Sequence, residues 1–266
     1  MDKNLIFDAH THFNDGSYAD EGFEIKTLVK EAQEAGVGYF LNCAFDLESS
    51  KLALEQATAY PNMFVAVGIH PMDVHNFPKA ALEEVARLAK SPKVVAIGEV
   101  GLDYYWAKEH RELQKEWFKA QIDIARKNNL TLMMHIRDAK DNYEAYDDAL
   151  EIIKSLPAPR MIVHCFSANE TYAQKFLDLG CYINIGGAVT FKNAKDLQTA
   201  AKMIPLNRLL VETDAPYLTP HPLRGQKNFP KYISYTVAKI ADLKNLTPKE
   251  IIKHTTENAF QVFNLK

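Results

Sequence analysis

Cysteine is scarce in this 266-residue chain. Cys43, Cys165 and Cys181 are too few and too scattered for a disulfide framework, and none forms a C-x-x-C pair. Glycine and proline number only 11 and 12, and no linker, low-complexity tract or solenoid-type repeat is found. No apolar run is long enough to span a bilayer. The opening MDKNLIFDAHTHF lacks an apolar stretch followed by a cleavage site, so a reducing, cytoplasmic setting without membrane attachment is expected. Charge of one sign is missing too. A net charge of −3 argues against a strongly basic coat for duplex DNA but allows a local cationic cleft. No G-x-G-x-x-G follows the first apolar segment, which weakens the case for an open doubly wound sheet.

With 47% apolar and 24% charged residues, the chain can bury a normal core without staples. Eight short apolar runs occupy 5–9, 37–43, 64–69, 94–98, 130–134, 161–163, 182–186 and 209–211. Most alternate with helical periodicity, the pattern of βα units on a parallel sheet. Their unbroken apolar character suits strands covered on both faces. The expectation is an α/β fold, a single TIM (β/α)8 barrel over residues 1–266, close to the roughly 250 residues that fold requires. Leu113, Trp117, Ala120 and Ile124 share a helical face, and Gly36 and Gly180 stand where left-handed helix ends are wanted. Ser167 to Glu170 and Thr247 to Glu250 read as capping boxes, the second with Pro248 in the first helical position. The longest stretch without a clear element runs from Asp214 to about Phe229.

Polar residues gather at the ends of these runs. Asp8, His10 and His12 end the first, His70 the third, Glu99 and Asp103 the fourth, His135 the fifth, His164 the sixth, and Glu212 and Asp214 the eighth. The C-terminal rim of a TIM barrel is its active-site face, so these distant positions should converge on one mouth. His10 and His12 are two apart and point the same way on an extended chain. Both imidazoles can then grip one ion, with oxygens from Glu99 and Asp214. His135 and His164, with a shared carboxylate, suffice for another. Four histidines and two acids exceed what one catalytic ion with an open position can use, which favours two divalent ions, zinc, manganese or magnesium.

Other positions stay open. His70 is a substrate contact or a structural residue beside Pro71, and Asp103 supports a ligand or caps a loop. Asp8 and Glu212 are expected to support the site rather than bind metal. His75, His110, His221 and His254 suit solvated or packing roles. Arg137, Lys192 and Arg224 each follow a strand and could ring the mouth for phosphates, or be ordinary surface charges. Tyr104, Tyr105 and Trp106 could stack on an unpaired base, or pack the rim.

DAHTHF, GIHP, GEVGLDYYW, HCFS and ETDAPYLTP, in this order, resemble the TatD family of metal-dependent deoxyribonucleases within the amidohydrolase-like barrels. The likeness runs from about residue 5 to NAFQVF near the end. It implies that His10, His12, Glu99 and Asp214 hold one ion and that Glu99, His135 and His164 hold the other. Glu99 would be the bridge, where other amidohydrolases often use a carboxylated lysine. LTPHPLRGQKNFP looks like the family's loop after the eighth strand, with Arg224 and Asn228 at its polar positions. The implied activity is a 3′–5′ exonuclease on single-stranded or frayed DNA, with Glu99 and Asp214 catalytic and His70, Arg224 and Tyr105 on the substrate. The alternative is hydrolysis of another ester or amide, such as a D-aminoacyl-tRNA. No obligate protein partner is expected.

Overall fold

All eight apolar runs form parallel strands, and the computed structural model describes residues 2–156 and 160–265. The strands are β1 (Ile6–Thr11), β2 (Val37–Cys43), β3 (Met63–Val67), β4 (Val94–Asp103), β5 (Thr131–Arg137), β6 (Met161–Val163), β7 (Tyr182–Ile185) and β8 (Leu209–Val211). They pair in sequence order. Helices α1 (Gly16–Asp20), α2 (Ile25–Glu34), α3 (Leu47–Thr58), α4 (Ala81–Leu88) and α5 (Arg111–Lys127) serve the first half. The second half carries α6 (Glu144–Ser155), α7 (Glu170–Asp178), α8 (Lys195–Met203), α9 (Ile233–Lys244) and α10 (Pro248–Val262). The architecture is a single-domain TIM barrel. No helix among the described residues is long and apolar enough to cross a membrane.

Two apolar cores follow from strand alternation. Ile6, Val37, Val65, Ile97 and Leu132 face the helices, whereas Phe7, Leu41, Ala66, Met133 and Leu210 fill the barrel. The C-terminal helix joins the inner core, because Phe260 and Phe263 pack on Phe7 with ring centroids 5.8 and 5.6 Å away. With that end filled by aromatic rings, the polar residues collect at the other.

The seam between β8 and β1 is closed by individual bonds. Asp214 N–H donates to His10 O at 3.0 Å, and His12 N–H donates to Ala215 O at 2.8 Å. Asp8 adds its side chain, accepting from Thr213 N at 2.9 Å and Thr213 Oγ1 at 2.6 Å. Three potential metal ligands, His10, His12 and Asp214, are thereby part of the closure itself.

Local expectations meet mixed outcomes. Thr247 and Glu250 form the capping box with Pro248 in the first turn, and Gly36 and Gly180 take φ of +91° and +80°. The cap of α7, however, is Asn169, accepting from Tyr172 N, while Ser167 bonds to Tyr146. A side chain at 169 sits directly before the first helical residue, and Ser167 is two positions too early. The buried face of α5 includes Trp117 and Ile124, but Leu113 and Ala120 lie at its margin and Gln114 and Gln121 lie inside it. No helix or strand occupies 214–229, as expected. Asn228 folds that loop, donating to Thr213 O at 2.8 Å and Tyr217 O at 2.6 Å.

Strand β4 outruns its apolar segment. Past Gly98 it stays paired with β5, setting Val100 opposite Met134, Gly101 opposite His135 and Asp103 opposite Arg137. Gly101 permits this approach: its φ is +143°, and a Cβ there would lie 2.1 Å from His135 O. Gly101→Ala is expected to cost more than about 3 kcal/mol, combining overpacking with backbone strain. Urea unfolding followed by circular dichroism measures it, and a loss under about 1 kcal/mol would contradict the contact.

Candidate metal centre

Glu99 stands at the middle of the rim, and its two carboxylate oxygens face different partners. Oε1 lies 2.8 Å from His135 Nδ1, 2.9 Å from His164 Nε2 and 3.3 Å from His70 Nε2. Oε2 lies 3.3 Å from His10 Nε2 and 3.7 Å from His12 Nε2. Asp214 completes the second cluster, with Oδ1 3.3 Å from His12 Nε2 and 3.6 Å from His10 Nε2. His10, His12 and His164 are almost fully buried, as are Glu99 and Asp214. All six positions expected to hold metal therefore converge.

The donor chemistry fits a cation. His12 Nδ1 lies 2.8 Å from Cys43 O, which only accepts, so the ring proton sits there and Nε2 offers a lone pair. His135 Nε2–H likewise donates to Asp103 Oδ2 at 2.9 Å, leaving the lone pair of Nδ1 aimed at Glu99. His10 Nε2 is 3.1 Å from His12 Nε2, and His135 Nδ1 is 3.3 Å from His164 Nε2. His10 Nδ1 and His164 Nδ1 have no hydrogen-bond partner, and ring nitrogens set this close to one another and to carboxylate oxygens form a donor set that a cation between them would satisfy. Mixed imidazole and carboxylate ligands suit zinc-like divalent metals.

Titration behaviour agrees. Burial pushes Glu99 up, but the charges of His164 and His70 and bonds from His10 and His135 hold it well below the usual carboxylate range. Burial likewise opposes ionisation of Asp214, yet His12 and His10 draw it down. Burial, with His164 nearby, depresses His10 to about 3. Burial also disfavours charge on His12, His135 and His164, but the facing carboxylates raise all three above the ordinary imidazole value.

The family model described as TatD related DNase matches residues 7–264. The chain belongs to the TatD family. It is 38% identical to the metal-dependent hydrolase YabD of Bacillus subtilis, over 98% of this chain and all of that protein. The metal-dependent hydrolase TatD of Mycobacterium tuberculosis is also 38% identical, with 98% of each chain covered. The crystal structure of the TatD homolog YJJV from Escherichia coli superposes with a TM-score of 0.91 at 28% identity, covering both chains completely. The protein is accordingly a metal-dependent hydrolase of the TatD family on a TIM barrel.

The supporting residues are equally specific. Asp103 Oδ1 accepts from Tyr105 N at 3.0 Å and Trp106 N at 2.8 Å while Oδ2 holds His135. One carboxylate therefore orients a ligand and caps its loop, the two roles left open from sequence. His70 Nδ1 accepts from Met72 N at 3.2 Å, so its Nε2 carries the proton and presents a donor beside Glu99. Glu212 accepts from Cys165 N at 2.7 Å and from Asn184 Nδ2, and lies 3.7 Å from His164 Nδ1. Asp8 serves the seam, and burial pushes its carboxyl up to about 8. Outside the site, His75 and His110 stack on one another and Arg224 lies over Phe191.

Several contributors were not foreseen. Gln121 accepts from Ile69 N at 2.8 Å and donates to Ile69 O at 3.0 Å, replacing a strand partner next to His70. Gln114 does the same for Asp103, at 2.8 and 3.1 Å. Their signal was present: two glutamines seven apart on a helix, and a buried amide on an apolar face needs a backbone partner. Tyr217 was also missed. Its ring lies 5.9 Å from His12, its hydroxyl donates to Asp15 Oδ2 at 2.6 Å, and it remains 53% exposed.

Two outcomes follow. Asp103→Ala frees His135 to rotate and should weaken metal affinity about 10–100-fold, measured by competition with a chelating dye. Unchanged affinity would remove Asp103 from the site. Because histidines raised by carboxylates must lose protons to bind metal, affinity should fall from about pH 8 to about pH 6 with proton uptake by the free protein. Calorimetry in buffers of different ionisation enthalpy reads the protons released.

Proposed function

We propose that this TatD family hydrolase is a deoxyribonuclease that removes nucleotides from a single-stranded or frayed DNA end. Two divalent ions, zinc, manganese or magnesium, would serve it. The reading rests on the split of Glu99, whose Oε1 and Oε2 face separate histidine clusters. His10, His12, Glu99 and Asp214 would hold one ion, and Glu99, His135 and His164 the other. Such ions supply Lewis acidity and lower the pKa of water, as displacement at phosphorus near neutral pH demands.

The chain's own groups supply the remainder. Asp214 is kept ionised by His12 and His10 and is the base for the attacking water, later returning the proton to the leaving oxygen. His70 directs Nε2–H towards the same space and donates to a non-bridging phosphoryl oxygen. Tyr105 and Trp106 are 48% and 58% exposed, with the Arg137 guanidinium 4.6 and 5.7 Å from their ring centroids. Exposed rings beside a cation suit an unpaired base and its phosphate. Ligands as deeply buried as His10 and Glu99 admit a strand end more readily than intact duplex.

Glu99→Ala is the test. Metal content and release of nucleotides from an end-labelled DNA strand should fall together, the activity by at least about 100-fold. Activity that survives in metal-free protein would overturn the mechanism. Turnover of D-aminoacyl-tRNA without turnover of DNA would replace the substrate and keep the metal chemistry.

A further inference from the structure

A second feature lies on the same rim, where the loops after β7 and β8 meet. Phe191, Lys192, Asn193, His221 and Arg224 line a cleft of about 430 Å³. The loops are tied together: His221 N–H donates to Thr190 Oγ1 at 2.7 Å, and Gly187 lies so close to Leu218 O that a Cβ would come within 2.4 Å. The Arg224 guanidinium carbon is 4.3 Å from the Phe191 ring centroid. Contact with the ring holds the guanidinium at the cleft, where its N–H groups can form two parallel bonds to an oxyanion. No carboxylate lines the cleft, and among the described residues neither Lys192 nor Arg224 enters an ion pair. Uncompensated cations in a concave site suit an anion. TIM barrels frequently bind phosphate with these same two loops.

The cleft and the metal centre share one segment. The loop leaving β8 carries Asp214, then Tyr217 and Leu218, 53% and 40% exposed, and then His221 and Arg224. We propose that this cleft is a second phosphate subsite, holding a non-scissile phosphate of the substrate strand, with Arg224 bidentate and Lys192 as a point charge. The inference rests on the nuclease reading for the source of the phosphate, though not for the site. It assigns Arg224 a place on the neighbouring phosphate instead of the one being cleaved. It also makes the enzyme sensitive to strand length.

The test combines Lys192→Ala with Arg224→Ala. A short single-stranded oligonucleotide is compared with bis(4-nitrophenyl) phosphate, a diester with no second phosphate. The ratio of their kcat/KM values should fall about tenfold or more, mainly through the oligonucleotide KM. The salt dependence of oligonucleotide binding should become shallower by about 0.7 for the lost contact. Lys192→Arg alone, which keeps the charge, should preserve the ratio. Turnover of the small diester shows that the double variant is folded. Binding of inorganic phosphate, followed through the Phe191 ring resonances, separates the two readings. If the wild type cleaves no DNA but loses phosphate binding on double substitution, the subsite stands and the nuclease reading falls. An unaltered ratio, or equal losses on both substrates, overturns the subsite. Phosphate binding that survives the double substitution overturns it as well.

Discussion

A carboxylate buried among five imidazoles is the constraint that organises this barrel. Glu99 could not be held there as a lone charge, because removing an ion from water costs several kcal/mol unless opposite charge meets it. His10, His12, His70, His135 and His164 meet it from four other strands or strand ends. Each must arrive within a few ångströms, so each strand end must be fixed. Much of the polar structure on the rim can be understood as meeting that demand.

The supports are of two kinds. Side chains substitute for missing backbone partners: Asp8 across the seam, Gln121 at Ile69 and Gln114 at Asp103. Others orient ligands already in place, as Asp103 does for His135 and the Cys43 carbonyl does for His12. Asp103 belongs to both kinds, since it also sets the backbone from which Tyr105 and Trp106 project. The aromatic surface and the metal site are thus joined through one carboxylate.

Exposed aromatic and cationic groups flank the candidate ligands on the same rim. Tyr217 borders His12 on one side, and Arg137 with Tyr105 and Trp106 borders His135 on the other. Tyr105, Trp106 and Tyr217 are carried by loops and Arg137 ends β5, while the candidate metal ligands sit on strands or directly after them. That division gives fixed positions to the candidate ligands and leaves the more adaptable surface around them.

The sequence by itself determined the eight strands, the closed α/β class and the converging ligands. Apolar runs buried on both faces and polar residues at their ends leave few other arrangements. It also contained Thr247 and Pro248 as a helix start, because that signal is local. What tertiary structure alone decided depends on contacts between distant segments. Strand β4 continues to Asp103 because β5 is there to pair with it, and Asn169 displaces Ser167 as a cap by a shift of two residues. Asp8 and His10 share strand parity, as do Glu212 and Asp214, yet Asp8 turns to the seam, and Glu212 groups with His10 and His164 while Asp214 faces His10 and His12. The register shift after Asp8 and the φ of +55° at Asp214 separate them, and neither is written in local periodicity. Which oxygen of Glu99 faces which histidine is the same kind of fact. Periodicity brings a residue to the rim, and only packing aims its side chain.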